Sequence, residues 1–313
     1  MSPEIRNLHR WVLSATIATY LLIFVGGLVR VSGAGLGCPD WPKCFGSWIP
    51  PFSRAQVPVE FNTGTFNVTL AWIEYINRLL GVLTGILIAG TALLSIKNFR
   101  SEKGLVFSTV GAAILVAFQG WYGSVVISSK LLSHTVSLHL VMALIIVSLL
   151  IYASQTITFL ADKRGPADKR VHSGLRISTL FLWILAIIQI LLGTQVRTEI
   201  ESIIREFPLL FRNEVLTVIG SVNYIHTVLG IMITLISFFL LFRLVQKQNT
   251  TTSLARIMGG ISVLLLVIQV MLGSALEIFG IPPILEVFHL WTASLFIGSL
   301  LILYTELAYV KGA

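Results

Sequence analysis

Apolar runs of about 20 residues, separated by shorter polar stretches, dominate the chain. They fall roughly at 11–30, 71–96, 105–128, 136–157, 176–196, 217–242, 257–277 and 284–308. Only a helix satisfies its own backbone across that much hydrocarbon, so the pattern predicts an all-α membrane protein with eight transmembrane helices. The polar stretches alternate in character. Arg6 and Arg10 precede the first run, and Lys97, Arg100 and Lys103 follow the second. Lys163, Arg164, Lys169, Arg170 and Arg176 follow the fourth, Arg243, Lys247 and Arg256 the sixth, and Lys311 closes the chain. Cations collect in the cytoplasmic loops of membrane proteins. Both termini are therefore expected in the cytoplasm, with 31–70, 129–135, 197–216 and 278–283 facing outward. The first run follows two arginines and ends in small residues, as a signal peptide does, but it is longer than a signal core and reads as a retained helix.

Composition supports this picture: of 313 residues, 55% are hydrophobic and 12% charged. The net charge of +8 sits in alternate connections, which suits membrane lipid and argues against nucleic acid.

The apolar runs also repeat. Gln119-x-x-x-Gly123-Ser124 lies twenty residues before His139, and Gln269-x-x-x-Gly273-Ser274 lies twenty before His289. Glu74–Gly81 (EYINRLLG) aligns with Asn223–Gly230 (NYIHTVLG), and Val29-Arg30 with Val196-Arg197. The expected architecture is two tandem pseudo-symmetric four-helix bundles, 1–160 and 171–313, joined by the polar linker 161–170. Each copy has an even number of spans, so both sit the same way up.

There are six histidines. His9 and His172 read as solvated loop residues. His226 and His289 begin their helices from the same side and are expected at similar depth. Ionisable groups at membrane depth are functional candidates, and two imidazoles facing across a bundle core suit a six-coordinate haem. The alternative is that each bonds a neighbouring helix. His139 matches His289, but Asn77 stands where His226 stands, in place of the partner His139 would need. An amide oxygen is a poor haem ligand, so the first copy is expected to hold a haem through one protein ligand, or loosely. His134 lies five residues before His139, about 140° around the helix, and shares no face with it.

Glu74 and Asn77 project from one face near the outer end of the second helix, and Asn223 replaces the carboxylate in the second copy. The plainer reading of Glu74 is an ion pair with Arg78. The outer loop carries SGAGLGCPDWPKCFG, with the chain's two cysteines, Cys38 and Cys44, six positions apart. On an oxidising face a disulfide, structural or redox-active, outranks a metal site, and free thiols are the remaining alternative.

Taken together, these residues resemble the heme A synthase family. The features that carry the resemblance are Gly26-Gly27-Leu28-Val29-Arg30, the cysteine loop, Glu74-Tyr75 with Arg78, and His139, His226 and His289. The resemblance spans the chain and implies an oxidoreductase that converts a methyl group of heme O to the formyl group of heme A, for cytochrome oxidase biogenesis. It implies a haem b cofactor on His226 and His289, heme O in the first half near Glu74 and His139, and loop cysteines at Cys38 and Cys44. Asn77 departs from the family's histidine. On this footing the bis-histidine haem relays electrons, and Glu74 serves as a proton relay or positions water beside the methyl group. Arg30, Arg78 and Arg197 are candidates for the haem propionates, against simple interfacial snorkelling. An unidentified electron donor and a transient complex with heme O synthase complete the expectation, in the plasma membrane. The rivals are a non-catalytic dihaem b-type electron carrier, which has no need of Glu74, and a haem transporter or chaperone.

Overall fold

The computed structural model describes residues 1–61, 66–166, 173–207, 219–247 and 251–310. Eight helices there are long and apolar enough to cross a membrane. They are α1 Pro3–Val31, α2 Val68–Asn98, α3 Lys103–Ser128, α4 Ser133–Ala161, α5 Ser173–Glu206, α6 Ser221–Gln246, α7 Ser253–Ile278 and α8 Pro283–Glu306. The protein is an all-helical, multi-pass membrane protein. Linker residues 167–170, His172, loop residues 208–216 and Lys311 lie outside the described residues.

Local chemistry sets the helix starts. Ser2 Oγ accepts from Ile5 N at 3.3 Å ahead of Pro3, and Asn67 Oδ1 accepts from Thr69 N and Leu70 N at 3.0 and 3.2 Å. Thr252 Oγ1 caps Ala255 N at 3.1 Å, and Pro283 opens α8. Inside the spans, hydroxyls return their protons to the carbonyl one turn back, as Thr16 does to Val12 O at 2.8 Å. Others bond across helices: Ser95 to Thr109 at 2.6 Å, Ser137 to Thr194 at 2.8 Å and Ser262 to Ser299 at 2.8 Å.

Two boundaries differ from the sequence pattern. The segment from 197 was expected as an outward loop, but α5 runs on to Glu206. Val196, Ile200, Ile203 and Ile204 share a stripe that packs on Ile219, Leu276 and Ile281, while Glu199, Glu201 and Arg205 interrupt the hydropathy. An amphipathic stripe at helical spacing carries the helix past the point where the apolar run ends. His9, expected in a loop, lies inside α1, half-buried, 3.5 Å from Ser154 Oγ.

The largest core joins Leu182, Ile190, Ile233, Leu266 and Ile297 of α5–α8 to Leu144 of α4. Smaller cores lie among α1–α4, one around Ile88, Ala112 and Leu150, and one around Leu8, Leu105 and Ile157. The first and last four helices meet where α1 and α4 pack on α8 and α4 packs on α5. Trp291 Nε1 donates to Tyr20 O at 3.1 Å, and Phe24 packs against Phe288 and Trp291. At the far end from the cysteine loop, Gly165 and Pro166 pair antiparallel with Val310 and Tyr309.

Candidate functional site

His226 sits in the second turn of α6 and His289 in the second turn of α8, which brings them to the same end of the bundle. Their ring centroids lie 6.5 Å apart at an interplanar angle of 59°. Both Nδ1 atoms are buried without a hydrogen-bond partner. The two rings border a cavity of about 380 Å³ that also reaches Arg30 of α1 and Leu140 of α4. Glycines give the rings their room: a Cβ at Gly193 would lie 3.2 Å from His226 Cε1, and one at Gly273 would lie 3.6 Å from His289 Cε1. A metal bonded to one nitrogen of each ring, at about 2 Å per bond, is of the size that fits between rings so spaced. Buried partnerless nitrogens, a largely apolar cavity and a glycine cradle thus fit a flat, iron-centred group.

Charged groups rim the same cavity. Arg197 donates Nε to Glu201 Oε1 at 2.7 Å and Nη1 to Glu286 Oε2, and Arg30 Nη2 lies 3.9 Å from Glu201 Oε1. Arg30 and Arg197 are therefore held by carboxylates from α5 and α8. Glu286 Oε1 remains buried and partnerless.

His139 in α4 also has a buried, partnerless Nδ1, as does Asn77 at Oδ1. The Tyr122 ring is nearly parallel to the His139 ring, with centroids 6.4 Å apart. His134 is exposed in the first turn of α4.

Glu74 is 3% exposed and binds on two sides: Oε2 accepts from Cys38 N at 2.8 Å, and Oε1 pairs with Arg78. Arg78 Nη1 also donates to Asp40 O at 2.9 Å and Lys43 O at 2.8 Å. Together the pair fastens the cysteine loop to α2. Arg78 is thus engaged with the loop, whereas Arg30 and Arg197 stand at the cavity. Cys38 and Cys44 form a disulfide, both fully buried, with Phe45, Val57 and Ala71 around them. Asp40 fixes the loop's turn by accepting from Phe45 N at 2.6 Å and Gly46 N at 2.9 Å.

The sequence pattern did not single out Gln189, Gly193, Tyr122, Glu201 or Glu286. Gln189 aligns with Leu22, Tyr122 with Leu272 and Glu286 with Val136, so comparing the copies for shared residues passes over them. For those three the differences between the copies were the available signal, whereas Gly193, which aligns with Gly26, was legible as a shared residue.

A family model described as cytochrome oxidase assembly protein matches residues 9–301. The chain is similar to a protein named Heme A synthase from Wolbachia sp. subsp. Brugia malayi, 25% identical over 330 residues, covering 92% of this chain and 93% of the relative. It is 24% identical over 333 residues to the Heme A synthase of Rickettsia prowazekii, covering 94% and 96%. The Heme A synthase of Bartonella tribocorum matches at 26% over 217 residues, 61% of this chain and 58% of that one.

Proposed function

The chain belongs to the COX15-CtaA family of cytochrome oxidase assembly proteins, and from that premise we propose that it is a heme A synthase, oxidising a methyl group of heme O to the formyl group of heme A. The observation that carries this reading is the facing pair His226 and His289, whose rings stand 6.5 Å apart over a shared cavity. The two sequence repeats are read as two sites, with cofactor in 171–313 and substrate in 1–160.

His226 and His289 would hold a haem b, which supplies one-electron transfer when bound. With His226 and His289 both available to hold it, such a haem would be suited to electron relay more than to binding oxygen. Arg30 and Arg197, steadied by Glu201 and Glu286, provide guanidinium groups suited to propionates at the cavity rim.

The substrate site is assigned to His139 and the region beside Asn77. With one imidazole and an amide as its polar groups, this half would bind a haem through a single strong ligand, which would suit a small reactant such as oxygen or water. Converting the methyl group to a formyl group is a four-electron oxidation. With water as the oxygen source, four electrons and four protons must leave. With dioxygen, two successive hydroxylations each draw two electrons and two protons and release one water, and the resulting gem-diol loses a further water to give the formyl group. Both oxygens of Glu74 are engaged, one by Cys38 N–H and one by Arg78. That supports a positioning role, holding the loop in place, over a freely exchanging proton relay. Delivery of heme O through a transient complex with heme O synthase, and an electron donor at the membrane, complete the proposal.

The test is chromatographic identification of the haems that co-purify from cells making heme O. Haem b together with heme O or heme A is expected, and His226→Ala or His289→Ala should lose haem b. Unmodified haem b alone, with no heme A in the membranes, would overturn the synthase reading in favour of an electron carrier.

A further inference from the structure

Three glutamines stand behind the three half-buried histidines. Gln119 Nε2 donates to His139 O at 2.8 Å, Gln269 Nε2 to His289 O at 2.5 Å, and Gln189 Nε2 to His226 O at 2.9 Å. Each bond ties the helix carrying a histidine to the helix before it, at the depth of the imidazole. Gln189 goes further, because its Nε2 also lies 3.4 Å from ring Nε2 of His226. The contact depends on glycine: a Cβ at Gly230 would come within 3.1 Å of Gln189 Nε2. Two atoms of this pair are left buried and partnerless, Gln189 Oε1 and His226 Nδ1.

The first copy lacks both members. Leu22 stands where Gln189 stands, and Asn77 where His226 stands, while Gly26 and Gly81 persist at the places of Gly193 and Gly230. Amide and imidazole are present together or absent together.

An imidazole bound to a metal through one nitrogen carries a proton on the other, and that N–H takes an acceptor which fixes the ring's rotation and its basicity. A primary amide offers a donor and an acceptor on one group. As it stands the amide donates N–H to the His226 carbonyl and faces a ring lone pair; a half-turn presents Oε1 to a ring N–H at the cost of the carbonyl bond. We propose that Gln189 is a positioning residue for His226, selecting the nitrogen presented to the cavity and setting the electron density the imidazole gives a metal. This rests on the haem reading of the His226–His289 pair.

The test uses the full-length protein purified with its haem b and the variants Gln189→Glu and Gln189→Met, both close to glutamine in size. A carboxylate at 189 pulls harder on the imidazole N–H, makes the ring a stronger donor and favours ferric iron, so Gln189→Glu is expected to lower the midpoint potential. Gln189→Met removes the polar partner, and haem transfer to apomyoglobin should run at least about 10-fold faster, the scale of outer-shell effects on metal affinity. Fully loaded variants with unchanged potential, low-spin spectrum and release rate would overturn the assignment. If Gln189→Met fails to accumulate, Gln189→Glu carries the test alone through its potential. A His226→Ala protein that keeps the wild-type low-spin spectrum would show instead that the haem reading has failed, an outcome the glutamine variants cannot produce.

Discussion

At the scale of single residues, Glu74 and Arg78 show how one pair serves two structures. Four residues apart on α2, they form an ion pair whose side chains are 3% and 13% exposed, and both also hold the loop backbone. Removing one member leaves the other charged and buried, which costs about 3–5 kcal/mol. Glu74→Ala and Arg78→Ala are therefore expected to lower the thermal midpoint in detergent and to expose the disulfide to reductant. Arg78→Lys should behave almost as badly, because one ammonium cannot reproduce a fork reaching a carboxylate and two carbonyls. Thermal unfolding combined with thiol labelling after mild reduction checks this, and a wild-type profile for Arg78→Lys would refute the fork. The ion pair was legible in the sequence as a four-residue spacing. Its further partners, the carbonyls of Asp40 and Lys43, were not, because backbone atoms leave no mark in a sequence. Gln189 stayed hidden for another reason: the repeat highlights what the copies share, and this residue belongs to one copy.

Among elements, the cysteine loop is held by contact as well as by its covalent bond. Gly37 lies so close to α2 that a Cβ there would stand 2.5 Å from Leu70 O, a backbone atom with nowhere to go. Gly37→Ala is expected to push the loop off α2 and cost about 1–3 kcal/mol, as overpacking does. The double change Cys38→Ser with Cys44→Ser releases a short closure worth about 2 kcal/mol. The two perturbations should differ in kind. Gly37→Ala leaves the disulfide intact but makes it reducible, whereas wild-type Cys38 and Cys44, both fully buried, should resist reduction until the loop lifts. Alkylation rates after dithiothreitol distinguish the cases, and rapid reduction of the wild type would argue for a redox-active bond. The loop's glycines, prolines and cysteines marked it as shaped, but its docking face was unreadable without α2. The end of α5 was misread for a related reason. Hydropathy reports the apolar run, whereas the stripe from Val196 to Ile204 continues the helix through alternating charge.

For the whole molecule, the first four helices and the last four have to be joined as well as built. Each set of four was readable from the apolar runs, but how the two sets meet was not, since a hydropathy pattern says nothing about the seam between them. The seam at the far end is a buried cluster. Arg164, just beyond α4, donates to both oxygens of Glu306 at 3.0 and 3.1 Å, and Thr252 Oγ1 adds a third bond at 2.8 Å. The Glu306 side chain is fully buried, and the Arg164 guanidinium lies 5.5 Å from the Phe159 ring, which stacks in turn on Tyr309. Because the carboxylate has no access to water, Arg164→Ala should destabilise the protein by about 3–5 kcal/mol. Replacing both partners with apolar residues, Arg164→Met with Glu306→Leu, removes the stranded charge and should recover most of that loss. Thermal unfolding of the single and double variants decides it, since additive losses would mean that the pair acts as two independent contacts. The same end of the bundle carries the basic connections, which gives the orientation a test of its own. In a Cys38→Ser, Cys44→Ser background, a cysteine at Lys103 should react with an impermeant maleimide only after the membrane is opened, and one at Lys130 should react in intact cells. The reverse pattern would turn the molecule over and place the cavity bordered by His226 and His289 on the cytoplasmic side.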